Sequence, residues 1–490
     1  MTTPAQPQRA QPVVPPAAHS VPATSETDPA VLAARIAAEL PASFVWGAAT
    51  SSYQIEGALT ADGRGPCIWD TFASTPGKTW RGESGDPGCD HYHRYADDVR
   101  MMAGIGLQAY RFSVAWPRVQ PTGRGPVNAA GIAFYDRLVD ALLAAGIDPW
   151  PTLYHWDLPQ DLQDQGGWSA RDTAYRFADY AWLVADAVGD RVRHWSTLNE
   201  PWCSAFEGHM SGRHAPGIQS PVAAVRALHH LLLGHGLAVA SLRSRGATDI
   251  GITLNVTSVE PANDSPGAHD AARLVDGQAN RVFLDPLLRG HYPEDVIADF
   301  ARAGAELPIV GDDARVIAAP IDWIGVNYYS PHIVAPGLDP RRPSPFVPGD
   351  AITQVRSTEN VTALGWPVRP PSFAALLRRL QRDYAVPLFI HENGAAFNDV
   401  VSADGTVEDP DRLGYIARHI DVVRAAVRDG VDLRGYFTWS LMDNYEWAEG
   451  YKMRFGIVHV DFATQRRTLK ASAHWYAGLI KAHREARSAR

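Results

Sequence analysis

Pro387-Leu388-Phe389-Ile390-His391-Glu392-Asn393-Gly394 is a short apolar run that stops on a polar cluster. Four other stretches end in the same way: Leu153-Tyr154-His155-Trp156-Asp157, Thr197-Leu198-Asn199-Glu200-Pro201, Gly325-Val326-Asn327-Tyr328-Tyr329 and Phe437-Thr438-Trp439-Ser440. Apolar runs of this length, rich in β-branched and aromatic residues, read as buried strands. Eight candidates begin near Phe44, Ala109, Asp148, His194, Ile250, Asp322, Pro387 and Arg434, and most are followed by segments of helical period such as 131–145, 175–188 and 373–382. Alternating strands and helices imply βα units around a parallel sheet, and eight units predict an α/β fold, a single (β/α)8 TIM barrel with long βα loops. In such a barrel every strand opens its C-terminal end on one face, so clusters hundreds of residues apart share one pocket.

The rest of the chain fits one large domain. A length of 490 residues would otherwise suggest about three domains at about 150 residues each, but no internal repeat and no second linker follows Phe44. Residues 1–40 hold seven Pro and ten Ala and read as a flexible tail, leaving 41–490 as the catalytic domain. Within the tail, Asp28 before Pro29, with Leu32, Ile36 and Leu40 beyond, reads as a capped helix leading into the fold. The composition, 46% hydrophobic and 20% charged, excludes a disordered chain. A net charge of -9 argues against nucleic acid and anionic lipid as partners. The most apolar stretch, 221–242, carries Arg226, His229, His230 and His235 and reads as a core helix, not a membrane span. Three widely spaced cysteines, Cys67, Cys89 and Cys203, read as reduced thiols, and the start of the chain lacks the pattern of a secretory signal. A cytoplasmic protein is expected, and a homo-oligomer is compatible with this reading.

Two of the strand-end residues are glutamates, Glu200 and Glu392. Cleaving a sugar acetal requires one carboxylic acid to protonate the leaving oxygen while a second carboxylate attacks or activates water. The two must therefore differ in pKa.

The chain resembles glycoside hydrolase family 1, the β-glucosidase family of retaining (β/α)8 enzymes. The resemblance rests on ordered motifs: 44–57 from Phe44-Val45-Trp46-Gly47 to Gln54-Ile55-Glu56-Gly57, then Tyr110-Arg111-Phe112-Ser113, His155-Trp156, Asn199-Glu200-Pro201, Asn327-Tyr328-Tyr329 and Glu392-Asn393-Gly394, and lastly the run from Trp439 to Trp447 with Arg454-Phe455-Gly456 beyond it. It implies that Glu200 is the general acid/base and Glu392 the nucleophile, with carboxyls about 5–5.5 Å apart. It implies further that Arg111 and Tyr329 attend the nucleophile and that Asn199 bonds the sugar 2-hydroxyl. Gln54, His155, Glu446 and Trp447 then bond the remaining hydroxyls, and Trp439 lies beneath the ring. Asn327 and Phe455 belong to the same substrate-binding set, and Trp366 to the leaving-group side with the loop from Trp202 to Gly217. Glu446 would repel a sugar phosphate, so an unphosphorylated glycone is implied. The implied activity is hydrolysis of terminal, non-reducing β-D-glucosyl residues by double displacement, with β-galactoside and β-fucoside cleavage on the side and neither metal nor cofactor. His391 departs from the family, which most often has Thr or Ser before the nucleophile.

Three patterns invite other readings. Gly104-Ile105-Gly106-Leu107-Gln108-Ala109 matches a dinucleotide fingerprint but ends a helix and opens a strand, the reverse of what that site requires. His91-Tyr92-His93 would suit a metal-dependent barrel hydrolase, yet lies in a helical segment. Cys203 reads as a pocket-wall thiol. A non-catalytic sugar-binding relative tends to lose one of the two carboxylates, and this chain keeps both. Net transglycosylation by the same mechanism stays open.

Overall fold

The eight expected strands form, each within a residue of its reading: β1 (Val45–Ala49), β2 (Ala109–Ser113), β3 (Asp148–Tyr154), β4 (His194–Asn199), β5 (Asp249–Leu254), β6 (Trp323–Asn327), β7 (Leu388–Asn393) and β8 (Leu433–Trp439). In the computed structural model, which describes residues 28–337, 343–348, 352–355 and 360–488, they pair in parallel and in sequence, and β8 closes on β1. The register of that closure sets Val45 opposite Gly435 and Ala49 opposite Trp439. Helices cross between successive strands, among them His91–Ile105, Ala129–Ala144, Asp172–Val188, Pro221–Ser244, Pro370–Tyr384 and Pro410–Arg428, and Ala471–Ser488 follows β8. Each helix between strands returns the chain to the start of the next one, as parallel pairing requires.

Trp150, Trp323, Phe389 and Phe437 fill the lower barrel, with ring centroids 5.0–5.7 Å apart. They fit because small residues stand opposite: a Cβ on Gly47 would lie 2.3 Å from the Phe437 ring, and one on Gly251 2.2 Å from Trp323. Large residues are thus matched to gaps, so the floor of the barrel is solid and the pocket opens only above it.

The helix read inside the amino-terminal segment is present as Pro29–Glu39. Asp28 accepts a hydrogen bond from the Ala30 amide, Leu32 and Ile36 are buried, and Arg35 pairs with Asp421 at 2.8 Å. This part of the 1–40 segment therefore packs on the barrel. Residues 1–27 lie outside the described residues. Pro221–Ser244 is long and apolar enough for a membrane span but is mostly buried within the protein. His229 bonds Tyr292 and Asp313, His230 the Trp168 carbonyl, and His235 Thr197. The dinucleotide-like segment behaves as read: Gly106 ends its helix with a left-handed φ of 88° before β2 begins. His91 bonds Asp98 at 2.8 Å, a buried structural pair.

Candidate active site

Both strands that carry a glutamate at their upper end break register there. Pairing of β4 with β5 steps from Ser196–Gly251 to Asn199–Thr253, and pairing of β7 with β6 from Ile390–Val326 to Glu392–Asn327. Each step is a β-bulge, one extra residue that re-aims the side chains beyond it. In β7 the bulge lets two successive residues face inward, where strict alternation would separate them. His391 points down onto Trp323, at 4.7 Å between centroids, and Glu392 points up to Arg111.

Glu200 follows directly on β4 with a left-handed φ of 46°, a conformation that costs a non-glycine residue about 1–2 kcal/mol. It is held there by its N–H, which donates to the Thr253 carbonyl at 2.9 Å. Pro201 opens the helical turn that widens into a π-type helix over Cys203–Ser211.

A single hydrogen-bond network joins the two carboxylates. Arg111 donates from Nη1 to Glu392 Oε1 at 2.5 Å and from Nη2 to Asn199 Oδ1 at 2.6 Å. Asn327 Nδ2 donates to the same Asn199 oxygen at 3.0 Å and to Glu200 Oε1 at 2.7 Å. The Tyr329 hydroxyl donates to Glu392 Oε2 at 2.5 Å. The second oxygen of Glu200 accepts from the Cys203 thiol at 3.0 Å, and Asn255 Nδ2 lies 3.9 Å from that sulfur. Asn199 Nδ2 is 3.0 Å from His155 Nε2, which fixes the latter as an acceptor because the amide can only donate.

The environments of the two glutamates are unequal. Glu392, 3% exposed, is raised by burial, but the Arg111 charge and then the bonds from Tyr329, Arg111 and Asn327 all act against that rise. Among the described residues Glu200 has only neutral donors within bonding distance, Asn327 and Cys203, and burial followed by the Glu392 charge pushes it up to about 7. Hydrogen bonds to a charged partner contribute about 1.5–3 kcal/mol, roughly twice those between neutral groups. The first negative charge of the pair therefore belongs on Glu392 and the proton on Glu200. Burial pushes the Tyr329 phenol well up, so it remains a donor.

Above the pair, the walls are aromatic on two sides. Trp447, with a left-handed φ of 50°, stacks on Tyr53 and lies against Trp69 and Trp156. Trp439 faces His155 at 5.9 Å. On the other side Tyr329, Trp366 and Phe455 form a triangle with centroids 5.6–6.1 Å apart. Gln54 accepts from Ser51 and gives both amide hydrogens to Asn444 and the Tyr445 carbonyl, which leaves one lone pair for a ligand. The Glu446 carboxyl bonds no group among the described residues. Burial, then the charges of Glu392, Glu449 and Glu200, push it up to about 8.

Comparison with known proteins places this arrangement. The model described as "Glycosyl hydrolase family 1" matches residues 36–485. The chain belongs to that family. It is 54% identical to "Thermostable beta-glucosidase B" of Thermobispora bispora over 90% of each chain. It is 44% identical to the "Bifunctional beta-D-glucosidase/beta-D-fucosidase" of Bifidobacterium breve over 90% of this chain and 98% of that one. The crystal structure of a psychrophilic beta-glucosidase from Micrococcus antarcticus superposes with a TM-score of 0.88 at 48% identity, over 92% of this chain and 99% of that one.

The family 1 fold brings every site residue named from the sequence to this one face. Three further contributors were not anticipated in their actual roles. Cys203 is not merely a wall residue, because its thiol bonds Glu200. Gly394 has no positive φ, so it is not needed for a turn; a Cβ there would lie 1.7 Å from the Trp439 carbonyl, so close approach of β7 to β8 demands glycine. Finally, the loop that carries Glu446 and Trp447 is fastened from below by buried charges. Lys470 Nζ reaches Asp443 at 2.7 Å and also Asp399, Arg454 holds the other Asp443 oxygen at 2.7 Å, and Arg412 joins Asp399 to Asp409. Burial works against the Asp443 carboxylate, yet Lys470, Arg454 and Arg412 outweigh it and hold its pKa low.

Proposed function

We propose that this protein is a retaining β-glucosidase that releases terminal, non-reducing β-D-glucosyl residues from disaccharides, short oligosaccharides and aryl or alkyl glucosides. The observation that carries the reading is the unequal pair: one glutamate bonded by a cation and a phenol, the other by neutral donors, both on one network. In this reading Glu392 attacks the anomeric carbon while Glu200 gives its proton to the leaving oxygen. Esterification of Glu392 then removes the charge that had raised Glu200, whose pKa falls, so the same group serves as base for the incoming water. The free Nδ2 hydrogen of Asn199 is assigned to the sugar 2-hydroxyl, a contact that strengthens as charge develops at the ring. Trp439 underlies the ring, and Gln54, His155, Glu446 and Trp447 take its hydroxyl edge. A 6-phosphate would meet Glu446 and Glu449, which supports an unphosphorylated glycone. The similarity to the bifunctional β-D-glucosidase/β-D-fucosidase of Bifidobacterium breve supports fucosidase activity on the side. Trp366 and the tilted Trp202–Phe206 pair, with Phe346 6.0 Å from Trp202, are assigned to the leaving group. A cytoplasmic location is supported by three cysteines that are buried and unpaired.

Hydrolysis of cellobiose, laminaribiose, gentiobiose and aryl β-glycosides, with the product followed by NMR, tests this reading. The β-anomer is expected first. An α-anomer formed first from a β-glucoside would contradict double displacement.

The acid must hold its proton in the free enzyme, so kcat/KM is expected to fall as pH rises through about 7, the folded-state pKa of Glu200. The Cys203 thiol favours ionised Glu200 by donating to it, and burial keeps that thiol protonated. Cys203→Ala is thus expected to move the alkaline limb upward by about 0.5–1 pH unit, the size of a contribution of about 1 kcal/mol. Cys203→Ser, which keeps a donor, should leave it near the parent position. Coincident limbs for alanine and parent would show that the thiol has no influence on the acid.

A further inference from the structure

His391 sits at the bulge of β7, directly before Glu392, and is fully buried. Its Nδ1 is 2.9 Å from Thr253 Oγ1 on β5, and that hydroxyl is 2.9 Å from Ser196 Oγ on β4. Ser196 in turn points its hydroxyl towards the Leu198 carbonyl at 3.5 Å. Run in that direction, each hydroxyl accepts once and donates once. The path crosses β6 at Gly325, where a Cβ would lie 2.5 Å from His391 Nδ1 and 2.8 Å from Thr253 Oγ1. Three strands are therefore tied together beneath the pocket across a fourth, from the strand of Glu392 to the strand that leads into Glu200, and both tied ends lie at register breaks.

A bulge re-aims the side chain beyond it, so whatever holds the bulge also sets where that side chain lies. We infer that His391 is a positioning residue: with Thr253 and Ser196, across Gly325, it fixes the bulge of β7 and with it the separation of Glu392 from Glu200. The inference rests on the proposed roles of those two glutamates. The ring works as a neutral strut. Arg111 on β2 and His194 on β4 are the charged and titratable groups that act on it, Glu392 follows it on its own strand, and its other neighbours are the rings of Trp150, Trp323, Phe389 and Phe437. Burial, Arg111 and His194 all favour the uncharged ring.

The test compares His391→Ala, His391→Gln, Thr253→Val and Gly325→Ala with the parent enzyme. It measures kcat and KM on an aryl β-glucoside, the rate at which 2-deoxy-2-fluoro-β-glucosyl fluoride labels the protein, the labelled peptide, and the inhibition constant of glucose. Displacements of about 1 Å cost on the order of 10²-fold in rate. His391→Ala, Thr253→Val and Gly325→Ala are expected to lower kcat and the labelling rate together by roughly 10–100-fold, with the glucose constant within about threefold and the pH limbs unmoved. His391→Gln, whose amide can still reach Thr253, should recover much of the loss. Thr253→Val keeps the shape of threonine and serves where His391→Ala does not fold. Labelling and kcat within about twofold of parent in folded Thr253→Val and His391→Ala, with the label on Glu392, would overturn the strut alone. A label on another residue in the parent would overturn the assignment of the nucleophile and the strut with it.

Discussion

Glu392→Ala is expected to abolish turnover, lowering kcat even on activated aryl β-glucosides by at least about 10⁴-fold. Among the described residues no other group stands in its place: the Tyr329 phenol is held protonated, and Glu200 is turned to Asn327 and Cys203. Without the carboxylate no glycosyl-enzyme forms, and the donors from Arg111 and Tyr329 aim at a void. The loss extends to stability. Arg111 is fully buried and would lose its only carboxylate partner among the described residues, and breaking a buried pair from one side costs about 3–5 kcal/mol. Glu392→Gln, which preserves the shape and one acceptor, separates the two effects: it should be as inactive as alanine but melt closer to the parent. Steady-state kinetics with thermal unfolding checks both. Near-normal rates in either variant would show that the nucleophile is elsewhere.

The loss in Glu200→Ala should depend on the leaving group. General acid assistance contributes about 10²–10⁴-fold where the departing oxygen is a poor leaving group, so cellobiose hydrolysis should drop by that range. A dinitrophenolate needs no proton, and with such a substrate the first step should remain fast while the glycosyl-enzyme accumulates for want of a base. Azide, which needs no base, should then restore turnover and give β-glucosyl azide. Glu200 ionises only as pH rises through about 7, so above that pH its removal relieves Glu392 of a like charge, and there this variant should unfold at or above the parent temperature. Equal losses on cellobiose and dinitrophenyl glucoside, with no azide effect, would remove Glu200 from the acid role.

The strands were legible because each is a local pattern, an apolar run ended by polar residues, and because helical segments separate them. The meeting of Glu200 with Glu392 followed from topology, since parallel strands around a barrel share an exit face. What stayed hidden depends on register. Strict alternation along β7 sends His391 and Glu392 to opposite faces, and only the bulge shows that both turn inward. The same limit concealed the reason for Gly394, whose neighbour is a carbonyl on β8 far along the chain. Cys203 was read as wall because a sequence gives the nearness of a thiol to Glu200 but not the direction of its hydrogen. Lys470 carries no motif at all; its three-residue reach to Asp443, Asp399 and, through them, Arg412 is visible only once the chain has folded.

Lys470 and β8 also set the order in which the molecule becomes itself during synthesis. Translation delivers the N-terminus first, so Gln54, Arg111, His155 and Glu200 leave the ribosome long before the strand that pairs with β1 and the lysine that fastens the sugar-reading loop. Until then β1 has an unpaired edge, and Trp150 and Trp323 line an unclosed trough. The unfinished chain is thus the form most exposed to aggregation and most dependent on chaperones. A product terminated before Lys470 lacks the cation that fastens the loop of Glu446 and Trp447 from below, and is expected to bind sugar far more weakly than the complete enzyme.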